Sequence, residues 1–340
     1  MPLRLASTVP GPEDPLTVPA ETEGVRLQDF LETEWPDVDR AFLRRLVADG
    51  GVRVNYQESD LRQKLHEGDV VWFELPDGVD ELPVHRARRR DASEPVPRVL
   101  AENDWCVVVD KPARLPTLPD RAGRSQGVYG QLTELRPADD LRVAHRLDRD
   151  TSGCLVLARS LEAARWLDEQ FRGGTVQKTY VALVEGVVGR ERFAVQRALG
   201  PDRRRPGKVR VAAPDSRGAR DAHTDVEVAE RFRGHTLLTV HPRTGRGHQI
   251  RVHLQSVGHP IVADVDYGAT GPLLLSAIKP GYKARRGTAE TPLLERMFLH
   301  AARIEVPMPD GSVFAVDAPL PDELARALGK LRRFAARSGN

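Results

Sequence analysis

The sequence predicts an α+β protein with a small α/β module ahead of a larger domain, and three observations predict it. The chain has 340 residues, beyond the usual size of one domain, so one large domain plus a smaller one is the first expectation. Near the N-terminus two short helical patterns are followed by two short strand patterns, which is enough for a compact module over residues 24–76. Beyond residue 98, strand and helix patterns mix without the regular βαβ period, which favours α+β over a doubly wound sheet.

The elements follow in order. Residues 1–23 are rich in Pro, Glu and Thr and lack periodicity, so a disordered tail is expected. Leu27, Phe30 and Leu31 recur at helical spacing, as do Phe42, Leu43 and Leu46 after Asp39, a candidate cap. Gly50 and Gly51 stop the second helix, and VRVN and DVVWFEL read as strands with the turn HEGD before the latter. A basic, Pro-rich linker over 77–97 contains Pro83, Pro95, Pro97 and the run HRARRR ending at Arg90. The larger domain is expected over 98–330, leaving 331–340 as a tail. Its segments WCVVVDKP, CLVLA, KTYVALVEG and TLLTVHP read as strands, and Ser160 to Phe171 as an amphipathic helix. In HQIRVHLQSVG, Ile250, Leu254 and Val257 share one helical face and Gly258 is the stop. His248, Arg251 and Gln255 share another, which either aims a cation into a cleft or is simply solvated.

Composition narrows the class. Hydrophobic residues make up 40% of the chain, enough for a sizeable core, and no apolar run reaches the roughly 18 residues of a membrane span. The N-terminus shows no secretory pattern, so a cytoplasmic protein without membrane contact is expected. Cys106 and Cys154 lie in apolar runs and fit buried reduced thiols better than a disulfide or metal framework. The formal charge of +2 conceals segregation. Between Arg197 and Arg220 there are eight basic residues, Arg203, Arg204 and Arg205 among them, against Asp202 and Asp215. With HRARRR and KPGYKARRG this makes three cationic segments, a pattern that a polyanion such as nucleic acid would select.

The chemistry-bearing stretch is HRLDRDTSG, residues 145–153, directly before CLVLA. Two carboxylates sit among cations, which favours their ionised forms and suits a nucleophile or base acting on a sugar; a surface ion pair is the plainer reading of the charge pattern. The string resembles the signature of the RluA-type RNA pseudouridine synthases. DWCVVVDKPARLPTLP, KTYVALVEG, TGRGHQIRVHLQSVGHPIVADVDYG and FLHAARIEVPMP are similar to four further blocks of that family, in the same order. The N-terminal module resembles the small S-four-like RNA-binding domain that many of these enzymes carry.

The resemblance implies the pseudouridine synthase fold, with a mixed, largely antiparallel central sheet, and an enzyme that isomerises uridine in structured RNA without metal or cofactor. It places the catalytic aspartate at Asp148, the tyrosine packing against the base at Tyr180, and the arginine paired with the carboxylate at Arg251. Arg146 matches the residue pushed into the RNA stack where the uridine leaves, and Asp150 is expected to be structural. Further RNA contacts are expected from His145, Arg149, Lys111, Arg246 and Gln249, from Arg203 to Arg205, and from Arg40, Arg44 and Arg45 on the module's second helix. Large-subunit ribosomal RNA is the favoured substrate, with transfer RNA the alternative, and a monomer is expected. A non-catalytic RNA-binding or ribosome-assembly factor is the competing class. A glycosidase-like enzyme lacks a second carboxylate placed as acid partner. Two departures stand out: Gly247 where relatives commonly have threonine, expected to loosen the turn before the helix, and VNYQ in place of a more basic VNGK.

Overall fold

The computed structural model describes residues 15–19, 22–35, 38, 40–74, 94–119, 125–205, 207–283 and 289–336. The expected cap at Asp39, the linker residues up to 93 with HRARRR, and the ARRG end of KPGYKARRG lie outside the described residues. The chain divides into two compact units, Met1–Arg89 and Arg90–Asn340.

The first unit runs β1 (Leu16–Thr17), α1 (Leu27–Glu34), α2 (Arg40–Ala48), β2 (Val52–Val54), β3 (Gln57–Glu58) and β4 (Val70–Phe73). Its antiparallel sheet has the order β1-β4-β2-β3. The apolar spacing does what helical geometry requires: Leu27, Phe30 and Leu31 of α1 and Leu43 and Leu46 of α2 are buried with Val52, Val54, Val71 and Phe73 from alternate strand positions. The expected disordered tail over 1–23 does not hold at residues 16–18. Leu16 and Thr17 pair with Val71 and Val70, and Val18 is buried in the same core, so this stretch is an edge strand and its continuation into the core. A two-residue strand is too short for alternation to announce it.

The second unit contains β5 (Arg98–Glu102), β6 (Cys106–Lys111), α3 (Gly127–Leu135), β7 (Arg142–Val143), β8 (Ser152–Ala158), α4 (Leu161–Gly173), β9 (Gln177–Glu185), β10 (Arg192–Gln196), β11 (Leu199–Pro201), β12 (Val209–Val211), β13 (His223–Arg231), β14 (His235–Pro242), α5 (Gln249–Ser256), α6 (Leu275–Ile278), β15 (Leu299–Pro307), β16 (Val313–Asp317) and α7 (Asp322–Phe334). One large sheet has the order β10-β13-β14-β9-β15-β8-β6-β5, with β16 beside β15 and β7 beside β8. Every pairing in it is antiparallel except β15 with β8, so the mixed, largely antiparallel α+β expectation holds. Gly153 sits at that parallel join with φ of +110°, and a Cβ there would meet the Ala301 carbonyl oxygen at 2.2 Å. Only glycine lets the two strands approach, which explains the last letter of HRLDRDTSG.

The expected helix Ser160 to Phe171 is α4, and Ser160 is its cap rather than its first residue. Ser160 Oγ accepts from the Ala163 N–H, and left-handed Gly174 closes the other end. Cys106 and Cys154 are buried free thiols, and burial pushes both up to about 12. The expected tail from 331 is instead the last turn of α7. Leu324, Leu328 and Leu331 continue one apolar stripe, and Leu331 and Ala335 are fully buried. The α5 helix is likewise not a surface helix, since Gln249 to Leu254 are all buried. Ile250 and Leu254 enter the main core while Val252 packs with Leu199 and Tyr267, so both flanks are covered. Among the described residues no helix is long and apolar enough to cross a membrane.

Candidate active site

The segment 144–151 joins β7 to β8 and is pinned from behind. Thr117 Oγ1 donates to the Leu147 carbonyl at 2.9 Å and accepts from the Leu147 N–H at 3.1 Å. Lys111 Nζ, fully buried, donates to the carbonyls of Arg149, Leu115 and Pro112 at 2.9, 2.6 and 3.0 Å. Arg296 reaches Ser152 Oγ at 3.2 Å, and Ser152 also meets His300 Nδ1 at 2.9 Å. Leu147 turns into the core while its neighbours Arg146 and Asp148 face a cleft of about 1130 Å³.

Asp148 is 24% exposed at the cleft, with Arg251 Nη1 3.5 Å from Oδ2 and His248 Nε2 3.9 Å from Oδ1. Arg251 is held by a deeper acid. Asp264, 2% exposed, accepts its Nε and Nη2 at 2.7 Å each, a bidentate pair. Asp266 lies 3.4 Å from Nη2 and is itself held by Lys208, and the guanidinium carbon stands 4.7 Å from the Tyr267 ring centre. Burial works against the charge on Arg251, but the Asp264 hydrogen bonds outweigh it and hold the guanidinium above its ordinary range. His248 opens α5 with left-handed backbone, φ 54°, and its Nδ1 lies 2.7 Å from the Tyr267 hydroxyl. That hydroxyl accepts from the Val209 N–H, and when it donates its own proton to Nδ1 the imidazole proton sits on Nε2, facing Asp148. Tyr180, on β9 between Val240 and Ala301, lines the same cleft. Burial, then the nearby Asp148 charge, pushes its phenol upward, so it stays neutral.

The fold thus brings Asp148, Tyr180, Arg251 and Arg146 to one cleft from three separate segments. Arg146 is exposed and has no partner among the described residues. Arg149 and Arg246 also line the cleft, each with only Nε engaged, on the carbonyls of Arg114 and Asp221. Arg203 and Arg204 are exposed, whereas Arg205 folds back onto Asp202 at 2.9 Å and the Asp266 carbonyl at 2.8 Å. Arg40, Arg44 and Arg45 are exposed on α2 of the first unit, Arg40 lying 3.2 Å from Glu32.

Two expected RNA contacts, Lys111 and Gln249, are structural instead, and a third, His145, stands at the cleft wall as a neutral ring. Lys111 spends all three protons on carbonyls; burial pulls its ammonium down to about 7, while those carbonyls favour the charged form. Gln249 is buried, donating to Thr224 and the His223 carbonyl and accepting from Thr244 and the Arg246 N–H. His145 stacks on Phe171 with ring centres 4.6 Å apart, and its Nε2 accepts from the Val156 N–H. Burial drops its pKa to about 3, so it offers no cation to a phosphate. Gly247 does not loosen its turn through unusual backbone: its φ is not left-handed, and a Cβ there meets nothing within 4 Å.

Sequence reasoning missed Asp264, Asp266, Tyr267 and Lys208, and left His248 without a role. A signal existed: Asp264 interrupts the apolar run Ile261 to Val265, and a buried carboxylate demands a cationic partner. A partly exposed carboxylate, a neutral phenol and a guanidinium locked by its own acid form a water-accessible pocket able to attack or deprotonate a sugar while gripping a flat ring.

An RNA pseudouridylate synthase family model matches residues 105–256. The chain is 35% identical over 331 residues to ribosomal large subunit pseudouridine synthase C of Yersinia pestis, covering 94% of this chain and 96% of that protein. It is 34% identical to the protein of the same name from Escherichia coli (strain K12), covering 93% of this chain and 96% of that one. Among solved structures, human RNA pseudouridylate synthase domain containing 4 is similar with a TM-score of 0.53 and 25% identity, over 69% of this chain and 93% of that chain.

Proposed function

Since the chain belongs to the RNA pseudouridylate synthase family, an isomerase that turns uridine in RNA into pseudouridine, we propose that its substrate is large-subunit ribosomal RNA and that Asp148 carries the reaction. The substrate reading rests on relatives that span nearly the whole chain and are named for the ribosomal large subunit. The catalytic reading rests on one observation: Asp148 faces the cleft with Arg251 3.5 Å away and Tyr180 on the same wall.

The uridine leaves its helix at a cost of a few kcal/mol, about what a flat cation filling the vacated stack can offset. Arg146, exposed beside Asp148 and without a partner among the described residues, supplies that cation. Tyr180 receives the flipped base on its ring. Asp148 meets the ribose, as nucleophile at C1′ or as base at the 2′ hydrogen. The bond from C1′ to N1 breaks, the base rotates in the pocket, and a bond from C1′ to C5 forms as the C5 proton leaves and N1 gains one. Arg251 aims the carboxylate, and His248 Nε2–H is the second donor within reach. In the first unit, Arg40, Arg44 and Arg45 present cations to RNA as an S-four-like module would.

Asp148→Asn tests the assignment. Pseudouridine formation is expected to vanish while RNA affinity stays within about threefold, because one neutralised carboxylate matters to chemistry more than to docking. Normal turnover by this variant refutes the role. Mapping pseudouridines in total RNA with and without the gene tests the substrate, and a lost site in transfer RNA alone refutes the ribosomal reading.

A further inference from the structure

The cleft contains a cation that the reaction as described does not use. Lys178 lies on β9 two residues before Tyr180, so both side chains leave the same face of the strand about 6.7 Å apart. Three other cations of the cleft wall are neutralised, Arg172 by Asp168 at 2.6 Å, Arg243 by Asp225 at 2.6 Å and Arg251 by Asp264, while Arg146, Arg149 and Arg246 face solvent, which hydrates them. Lys178 is partly buried, yet it has no hydrogen-bond or ion-pair partner among the described residues. His145 beside it is neutral, and burial, with no carboxylate to oppose it, pulls the Lys178 ammonium down to about 8.

An ammonium is a compact, strongly hydrated charge, and stripping its water without a counter-charge is destabilising. Among the described residues nothing compensates Lys178. A compensating group from outside would enter the cleft and carry negative charge where the base lies on Tyr180. In RNA that group is the phosphodiester next to the base. We propose that Lys178 binds the phosphodiester adjacent to the flipped uridine and so sets the depth at which the nucleotide seats against Tyr180 and Asp148. This inference rests on the uridine occupying the Asp148 cleft.

The test uses the full-length protein, Lys178→Met, which keeps the aliphatic stem, and Lys178→Arg. The probe is an RNA hairpin with one unpaired uridine, made with each flanking phosphodiester in turn replaced by an uncharged methylphosphonate. For Lys178→Met, Kd is expected to rise about 10- to 100-fold, the worth of one charge-assisted contact, and the slope of log Kd on log salt to fall by about 0.7–0.9. Lys178→Arg is expected to recover most of the affinity. In turnover the loss should appear in KM more than in kcat. Thermal stability of Lys178→Met should rise, because an uncompensated charge has been removed, and a lysine that merely braced the fold would move it the other way.

The deciding comparison is the cycle between variant and probe. One methylphosphonate should weaken wild-type binding by the same 10- to 100-fold yet leave Lys178→Met within about twofold. Equal losses in both proteins would overturn the proposal, as would unchanged Kd and salt slope in Lys178→Met. Should that variant fail to fold, wild-type binding indifferent to both methylphosphonates would overturn it equally. Absence of pseudouridine in any RNA treated with wild-type protein would instead strike the function proposed for Asp148, a separate outcome.

Discussion

Asp264 makes the most demanding prediction, because it touches no substrate in the proposed chemistry and yet should govern it. It is 2% exposed and accepts two hydrogen bonds of 2.7 Å from Arg251, whose side chain is 8% exposed. Asp264→Asn preserves shape and one acceptor but removes the charge, leaving a buried guanidinium with only Asp266 at 3.4 Å and Asp148 at 3.5 Å. Breaking a buried ion pair from one side costs about 3–5 kcal/mol, and the retained acceptor argues for the lower end. For a domain of this size, 3 kcal/mol corresponds to a fall in Tm of about 6–12 °C. Freed from its anchor, Arg251 can move toward Asp148, and a displacement near 1 Å costs on the order of 100-fold in turnover. The assay is calorimetric melting beside single-turnover pseudouridine formation, on wild type, Asp264→Asn, Arg251→Met and the double variant. Removing both charges should recover stability, with a coupling of at least about 2 kcal/mol, but not activity. An Asp264→Asn protein melting within about 1 °C of wild type, or strictly additive losses, would refute the claim that this pair holds the site.

Further outcomes are expected. Arg203→Ala with Arg204→Ala should weaken RNA binding and lower the salt slope by about 1.4–1.8, while adding Arg205→Ala changes the slope little because Arg205 is already paired with Asp202; filter binding across a salt series reads this. Gly247→Thr should leave Tm within about 1 °C and keep turnover, since its Cβ finds open space without left-handed backbone; a large loss would mean the turn moves on binding. His300 is fully buried, donates from Nε2 to the Ala318 carbonyl and accepts from Ser152, and burial lowers it to about 4. Between pH 4 and its unfolded value near 6.5 the unfolded chain holds more protons, so stability is complete above 6.5 and declines as pH falls, by up to about 3 kcal/mol from this residue. Urea titrations of His300→Gln should show a shallower acid decline, and an unchanged slope would exclude His300 as a contributor.

Much of the fold was legible because it rests on local periodicity. The stripe at Leu27, Phe30 and Leu31, the all-apolar CLVLA and the Ser160 cap each specify their element without reference to distant residues. Two boundaries were not legible, for opposite reasons. Leu16 and Val18 are too few to show alternation, while the α7 stripe continued past the expected end at 330. At the site, HRLDRDTSG marked the loop that carries Asp148, but side-chain type did not separate cations that meet solvent from cations that pin backbone. Lys111 and Arg149 look alike as letters; one is fully buried on three carbonyls and the other is exposed.

What the sequence by itself determined is the set of elements, the mixed sheet they suit, and the loop that carries Asp148, all encoded within a few residues along the chain. The tertiary structure alone decided which charges remain available. Asp264 reaches Arg251 only because α5 and the turn after it pack together, and Lys178 has no partner among the described residues because its strand faces a cleft whose nearby carboxylates are held by other cations. The physical reason is that a charge's worth depends on its desolvation and its neighbours, and both are properties of the packed chain.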